Sequence, residues 1–142
     1  MANTAIPLLP TTTITAAGTV TGDAYVFGPR TALGLIVESI FDYGSGGTTA
    51  KVYIQTSLDG GTTWFDVVSH AFATTDANKV SGITTLIAPA SQGFAPGDAA
   101  LTDNTIIQGV LGDRIRVKLV TAGTYAGSTT VAVWASLTGV GR

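Results

Sequence analysis

The residues Ser57-Leu58-Asp59-Gly60-Gly61-Thr62-Thr63-Trp64 join two runs of strand-like sequence, Thr49 to Thr56 before them and Thr63 to Ser69 after them. They fit the Asp-box pattern Ser-x-Asp-x-Gly-x-Thr-Trp. In such a turn Asp59 accepts hydrogen bonds from amides ahead of it, and Ser57 and Thr63 bond across the hairpin. Gly60 and Gly61 supply the positive φ that other residues resist, and Trp64 packs over the turn. In the run before it, Ala50, Val52 and Ile54 share one face while Lys51, Tyr53 and Gln55 share the other. After it, Trp64, Asp66 and Val68 alternate with Phe65 and Val67. Period-two alternation on both sides of a Gly-rich turn predicts an antiparallel hairpin.

The same alternation recurs outward from this hairpin. Asp113 to Thr121 places Ile115, Val117 and Leu119 inside and Arg114, Arg116 and Lys118 outside. A turn over 124–128 leads to Thr129–Thr138, with Val131, Val133, Ala135 and Leu137 on one face and Trp134 on the other. Ala32 to Tyr43 is apolar on both faces, the pattern of a central, covered strand. Short strands are expected near Thr11–Thr15, Ala24–Phe27 and Val80–Ile87, and 88–104 reads as a long surface loop. No window carries helical spacing. About eight strands with turn signals between them predict an all-β fold, an antiparallel β-sandwich or jelly roll. The chain divides into an extended N-terminal arm over 1–15, kept from ordinary strand pairing by Pro7 and Pro10, and a single sandwich domain over 16–142.

The chain has 142 residues, enough for one domain with a core that needs no covalent staple. It has no cysteine, which excludes disulfides and thiolate metal sites. Its net charge of −2 gives no pull toward nucleic acid, and no stretch is long and apolar enough to span a bilayer. Charged residues make up 11% of the chain, against about 25% in ordinary soluble domains. With 24 threonines, such a chain either has a surface that is polar without charge or has much of its surface covered by other subunits.

Catalytic constellations are weak. His70 is the one histidine, and no Gly-x-Ser-x-Gly elbow accompanies it, so it reads as a surface or edge residue. Asp98, Asp103 and Asn104 offer oxygen ligands in the long loop, but two acids five residues apart are a thin basis for a calcium site. No pair of carboxylates is singled out for glycoside hydrolysis, and the Gly-rich 44–47 segment lacks a phosphate-loop ending. The expectation is a protein without enzymatic activity, cofactor or metal. Arg114, Arg116 and Lys118 form a basic stripe that meets nucleic acid or an acidic protein patch, or else is a solvated outer face paired with acids such as Asp66 on neighbouring strands, with the acidic protein patch the stronger of the two partner readings. Trp64, Trp134 and Tyr53 are the candidate stacking platforms of a carbohydrate-binding module, although tryptophans in strands are ordinarily buried.

The turn from Ser57 to Val67, the strand Leu111-Gly112-Asp113-Arg114-Ile115-Arg116-Val117 and the Gly123–Thr130 hairpin before a last strand together resemble small structural proteins of tailed-bacteriophage virions. The resemblance covers the order of elements from Ala32 to Arg142. It implies a β-sandwich without catalysis, of the head decoration (cement) type, on the exterior of the phage head. Its partners would be the major capsid protein or neighbouring virion subunits, including copies of itself. The implied alternative is a tail, neck or fibre-associated position. On this reading the arm reaches onto a neighbour, with Ile6, Pro7, Leu8, Leu9 and Pro10 as its contact residues and Ile6, Leu8 and Leu9 filling apolar pockets.

Overall fold

A computed structural model describes residues 5–27, 32–86 and 97–139. Among them are eleven strands and no helix. Eight are β1 (Ala5–Thr13), β2 (Gly18–Thr21), β4 (Gly34–Asp42), β6 (Thr49–Ser57), β7 (Phe65–Phe72), β8 (Ala77–Thr84), β9 (Arg114–Ala122) and β11 (Thr130–Thr138). Three are two-residue ribbons: β3 (Tyr25–Val26), β5 (Ser45–Gly46) and β10 (Tyr125–Ala126).

The strands form two large antiparallel sheets, and β5 pairs with β10 in a separate two-stranded ribbon. The first has the order β1-β11-β4-β8, and the second has β2-β9-β6-β7 with β3 also on β9. The sheets pack face to face in a β-sandwich. Leu35, Val37 and Phe41 of β4 and Val131, Val133 and Ala135 of β11 meet Val52 and Ile54 of β6 and Ile115, Val117 and Leu119 of β9 in one core. Aromatic rings close one end. Phe41 of β4 stacks on Phe72 of β7 at 5.1 Å and meets the edge of Tyr125 at 5.8 Å. The Tyr125 hydroxyl donates to Ala73 O at 2.8 Å, so the buried phenol is satisfied.

Three expectations change. Residues 5–13 are not a free arm. They pair with β11 from Ala5↔Ser136 to Thr13↔Thr130, and Ile6, Leu8 and Leu9 are buried in this chain's own core. The two prolines are accommodated because β1 is an edge strand, where a missing donor costs no ladder bond, and its register slips between Pro7 and Leu9 and again between Leu9 and Thr12. The boundary drawn at residue 15 therefore cuts through the sandwich. Second, β4 is central, but its outer face is open: Ile36 is 44% exposed. Third, the alternation in β7 breaks at Val67. A bulge there lets Asp66 face Gln55 and Val68 face Ile54, so Val68 turns inward with His70 and Phe72 after it. Ile87 and residues 88–96 of the long loop lie outside the described residues.

Candidate functional site

The Asp-box turn is built by its own side chains. Asp59 Oδ1 accepts from the Thr63 amide at 2.8 Å, the Thr62 amide at 3.1 Å and the Ser57 hydroxyl at 2.9 Å. Ser57 Oγ accepts from the Gly61 amide at 2.9 Å, and Gly60 and Gly61 have φ of +75° and +95°. These donors, the Thr63 amide first, hold the Asp59 carboxyl below the usual carboxylate range. Trp64 folds back so that its indole N–H donates to Gly61 O at 2.9 Å. The side chains of Ser57, Asp59 and Trp64 are thus engaged within the turn itself.

The outer face of the second sheet is a closed polar network. Gln55 of β6 is fully buried at its centre. Its amide donates to Asp66 Oδ1 at 2.9 Å and Asp98 Oδ1 at 2.7 Å, and its carbonyl accepts from Arg116 Nε at 2.8 Å. Asp66 also accepts from three successive amides, Ala99, Ala100 and Leu101, at 3.0, 2.8 and 3.0 Å, which anchors the 97–101 loop over the sheet. The basic stripe is consumed here. Arg114 pairs with Asp113 at 3.0 Å, Lys118 with Asp98 at 2.8 Å, and the Arg116 guanidinium lies 4.2 Å from the centroid of the Trp64 ring. Lys118, then Gln55, hold Asp98 below the carboxylate range. The neutralising acids are Asp98 and Asp113, with Asp66 acting through Gln55 rather than touching a cation.

The acids considered for a metal do not converge. Asp98 faces Lys118, Asp103 pairs with Lys51 at 2.9 Å, and Asn104 Oδ1 accepts from the Ala71 amide and Lys79. Among the described residues no cluster of acids and histidine is placed to hold a metal ion. His70 is not at the surface. It is 3% exposed and bridges Ser39 of β4 and Ser81 of β8, with Nδ1 2.8 Å and Nε2 2.7 Å from the hydroxyls. Both ring nitrogens are taken by serine hydroxyls, so among the described residues the ring bridges the two sheets with no carboxylate bonded to it. Burial first, and Lys79 second, push its pKa down to about 4.

The remaining surface is the outer face of the first sheet. Register places Pro7, Trp134, Glu38 and Val80 in one row across β1, β11, β4 and β8, with Ile36 in the adjoining row. Trp134 is 39% exposed and Val80 is 64% exposed. Tyr53, by contrast, is buried, and Trp64 is half-buried under Arg116, so Trp134 alone of the candidate platforms is open. The charges on this face are Glu38 and Asp42. No described cation lies on it, because Lys79 of β8 points inward to Ala71 O and Asn104. The two faces of the sandwich therefore differ in kind: one is polar and internally neutralised, the other apolar with unbalanced acids.

Sequence reasoning missed Gln55 and the open apolar face. Gln55 occupies an outward parity, and only the docking of a loop more than forty positions away buries it. The apolar face carried a signal, Ile36, Ile40 and Trp134 on the outward parity, which reads equally as cover by a third layer. In comparisons with known proteins, no family model, no curated protein and no solved structure matches this chain.

Proposed function

We propose that this chain is a non-enzymatic structural protein of a tailed-phage virion, a decoration protein that binds the outer capsid shell and stabilises it by bridging capsomers. The observation that carries the reading is the open face of Trp134, Ile36 and Val80 in a chain with so little charge. Large apolar side chains left open on one sheet face, here with Glu38 set among them, mark a docking site. Because Glu38 and Asp42 lie on this face without described cations, stacking it on its own copy would oppose like charges. A shell surface presenting basic and apolar side chains fits it. Counting only the eight longer strands in chain order, the sheets read 1-8-3-6 and 2-7-4-5. We read this as jelly-roll order, an architecture that recurs in capsid and lectin domains. A protein that binds only the assembled shell stabilises it by mass action.

The test is to add purified protein to capsids that lack it, then sediment and heat them. Co-sedimentation in many copies with a raised disruption temperature supports decoration, and Trp134→Ser with Val80→Ser should abolish it while the fold is unchanged. Absence from heads with recovery at tails or necks would place the protein elsewhere on the virion. The exposure of Trp134 also favours a second reading, a carbohydrate-binding module. Glycan-array binding lost in Trp134→Ala, without capsid binding, would establish that instead.

A further inference from the structure

A sandwich has four sheet edges, and this one treats them unequally. On β7 the edge is capped by the 97–107 loop: Ser69 N donates to Thr105 O, Ile107 N to Val67 O and Asp66 N to Gly97 O, at 3.0, 2.8 and 2.9 Å. The β8 edge is capped at its Gly82–Thr84 end by Gln108, whose side chain accepts from Thr84 N and donates to Gly82 O, both at 2.9 Å, and farther along it carries the inward-pointing charge of Lys79. On β1 the edge is interrupted by two prolines and two register slips. These are the ordinary means of blocking strand addition.

The edge at β2 has none of them. Gly18–Thr21 is exposed at every residue and carries neither charge nor proline. Gly22 N donates to Val117 O, so by alternation the amides and carbonyls of Gly18 and Val20 also face β9. Those of Thr19 and Thr21 point outward, and no described residue bonds to them. Val20 lies opposite the fully buried Leu119, on the core side of the sheet, yet is 40% exposed. An inward-facing valine left half open is a core position missing its flank. Beyond Gly22 the edge closes again: from Gly22 to Tyr25 it carries one residue more than β9 does from Val117 to Ile115, a bulge that includes Asp23.

The open segment is Gly18-Thr19-Val20-Thr21-Gly22, which reads the same in both directions. Paired antiparallel with itself about Val20, it sets Val20 against Val20, Thr19 against Thr21 and glycine against glycine. The outward groups of Thr19 and Thr21 then meet as hydrogen-bonded pairs, and the two valines fall at a non-hydrogen-bonded position, where side chains approach most closely. Continued outward, the pairing opposes Asp23 to Ala17, so no like charges meet.

We propose that two copies of this chain associate about a two-fold axis through Val20, joining their second sheets into one across β2. The isologous geometry is closed and gives a dimer, not a fibre. This goes beyond capsid binding and uses a different surface. Sedimentation velocity on the purified full chain should show a dimer. Val20→Glu and Val20→Lys should each be folded, by circular dichroism, and self-associate roughly tenfold more weakly or worse. An equal mixture of the two should recover the dimer, because carboxylate then faces ammonium across the axis. Thr21→Pro, which removes only an outward N–H, should weaken association without loss of fold. A wild type that stays monomeric, a dimer that survives both charged variants, or a mixture that stays monomeric overturns the proposal. A monomer that still decorates capsids would overturn this proposal and leave the functional reading standing.

Discussion

His70 of β7 and Ser39 of β4 join the two sheets through the core, Nδ1 to Oγ at 2.8 Å, at a site where neither residue is more than 3% exposed. The same ring reaches Ser81 on β8, so one side chain ties the second sheet to two strands of the first.

That bridge makes stability depend on pH. The folded pKa of about 4 lies below the ordinary 6.5, so between those values the unfolded chain binds the extra proton. Stability is full above about pH 6.5 and falls as pH drops toward 4, by up to about 3 kcal/mol. The depressed carboxylates Asp59, Asp98 and Asp113 act lower, below the ordinary carboxylate pKa of 3.8, so they do not mask the effect. Urea unfolding at pH 7 and 4.5 should show this loss in the wild type, and His70→Asn should flatten the difference between the two pH values.

In the hairpin turn, Asp59→Ala removes the acceptor shared by the Thr62 and Thr63 amides and the Ser57 hydroxyl. The melting temperature should fall by a few degrees, and amide exchange should quicken at Thr62 and Thr63 while the core strands remain protected.

Asp66→Ala should act at a distance along the chain. It leaves the amides of Ala99, Ala100 and Leu101 without their acceptor and frees one donor of the buried Gln55. The expected cost is about 3 kcal/mol, with exchange protection lost over 97–101. Unchanged protection in that loop would show that Asp66 does not anchor it.

Removing residues 1–13 deletes β1 and takes Ile6, Leu8 and Leu9 from the core. At roughly 2 kcal/mol for each buried side chain, and with the β11 edge exposed, the loss approaches the whole stability of a small domain. The truncated chain should be aggregated or unfolded by circular dichroism. A soluble, folded product would restore the view of this segment as an arm.

Trp134 should be the tryptophan that solvent reaches. Acrylamide should quench most of its emission in the wild type, and Trp134→Phe should leave a protected signal from Trp64, which lies under Arg116.

Local patterning was enough for much of this protein. The hairpin around Asp59, the inward run Ile115, Val117 and Leu119 and the inward run Val131, Val133, Ala135 and Leu137 each follow from alternation and turn chemistry within about ten residues. Such short-range order is written in side-chain period and in where glycine is needed. What lay beyond it was every pairing made over distance. Nothing near Pro7 says that β11 will take up β1, nothing near Gln55 says that Asp98 will bury it, and nothing near His70 says that Ser39 and Ser81 will meet it. A single bulge at Val67 reverses which side of β7 faces the core, and no periodicity forecasts an added residue. Sequence alternation shows which residues share a face. Whether that face is core, loop-covered or open is decided by which strands and loops come to lie against it, a choice made by the free energy of the whole packed arrangement.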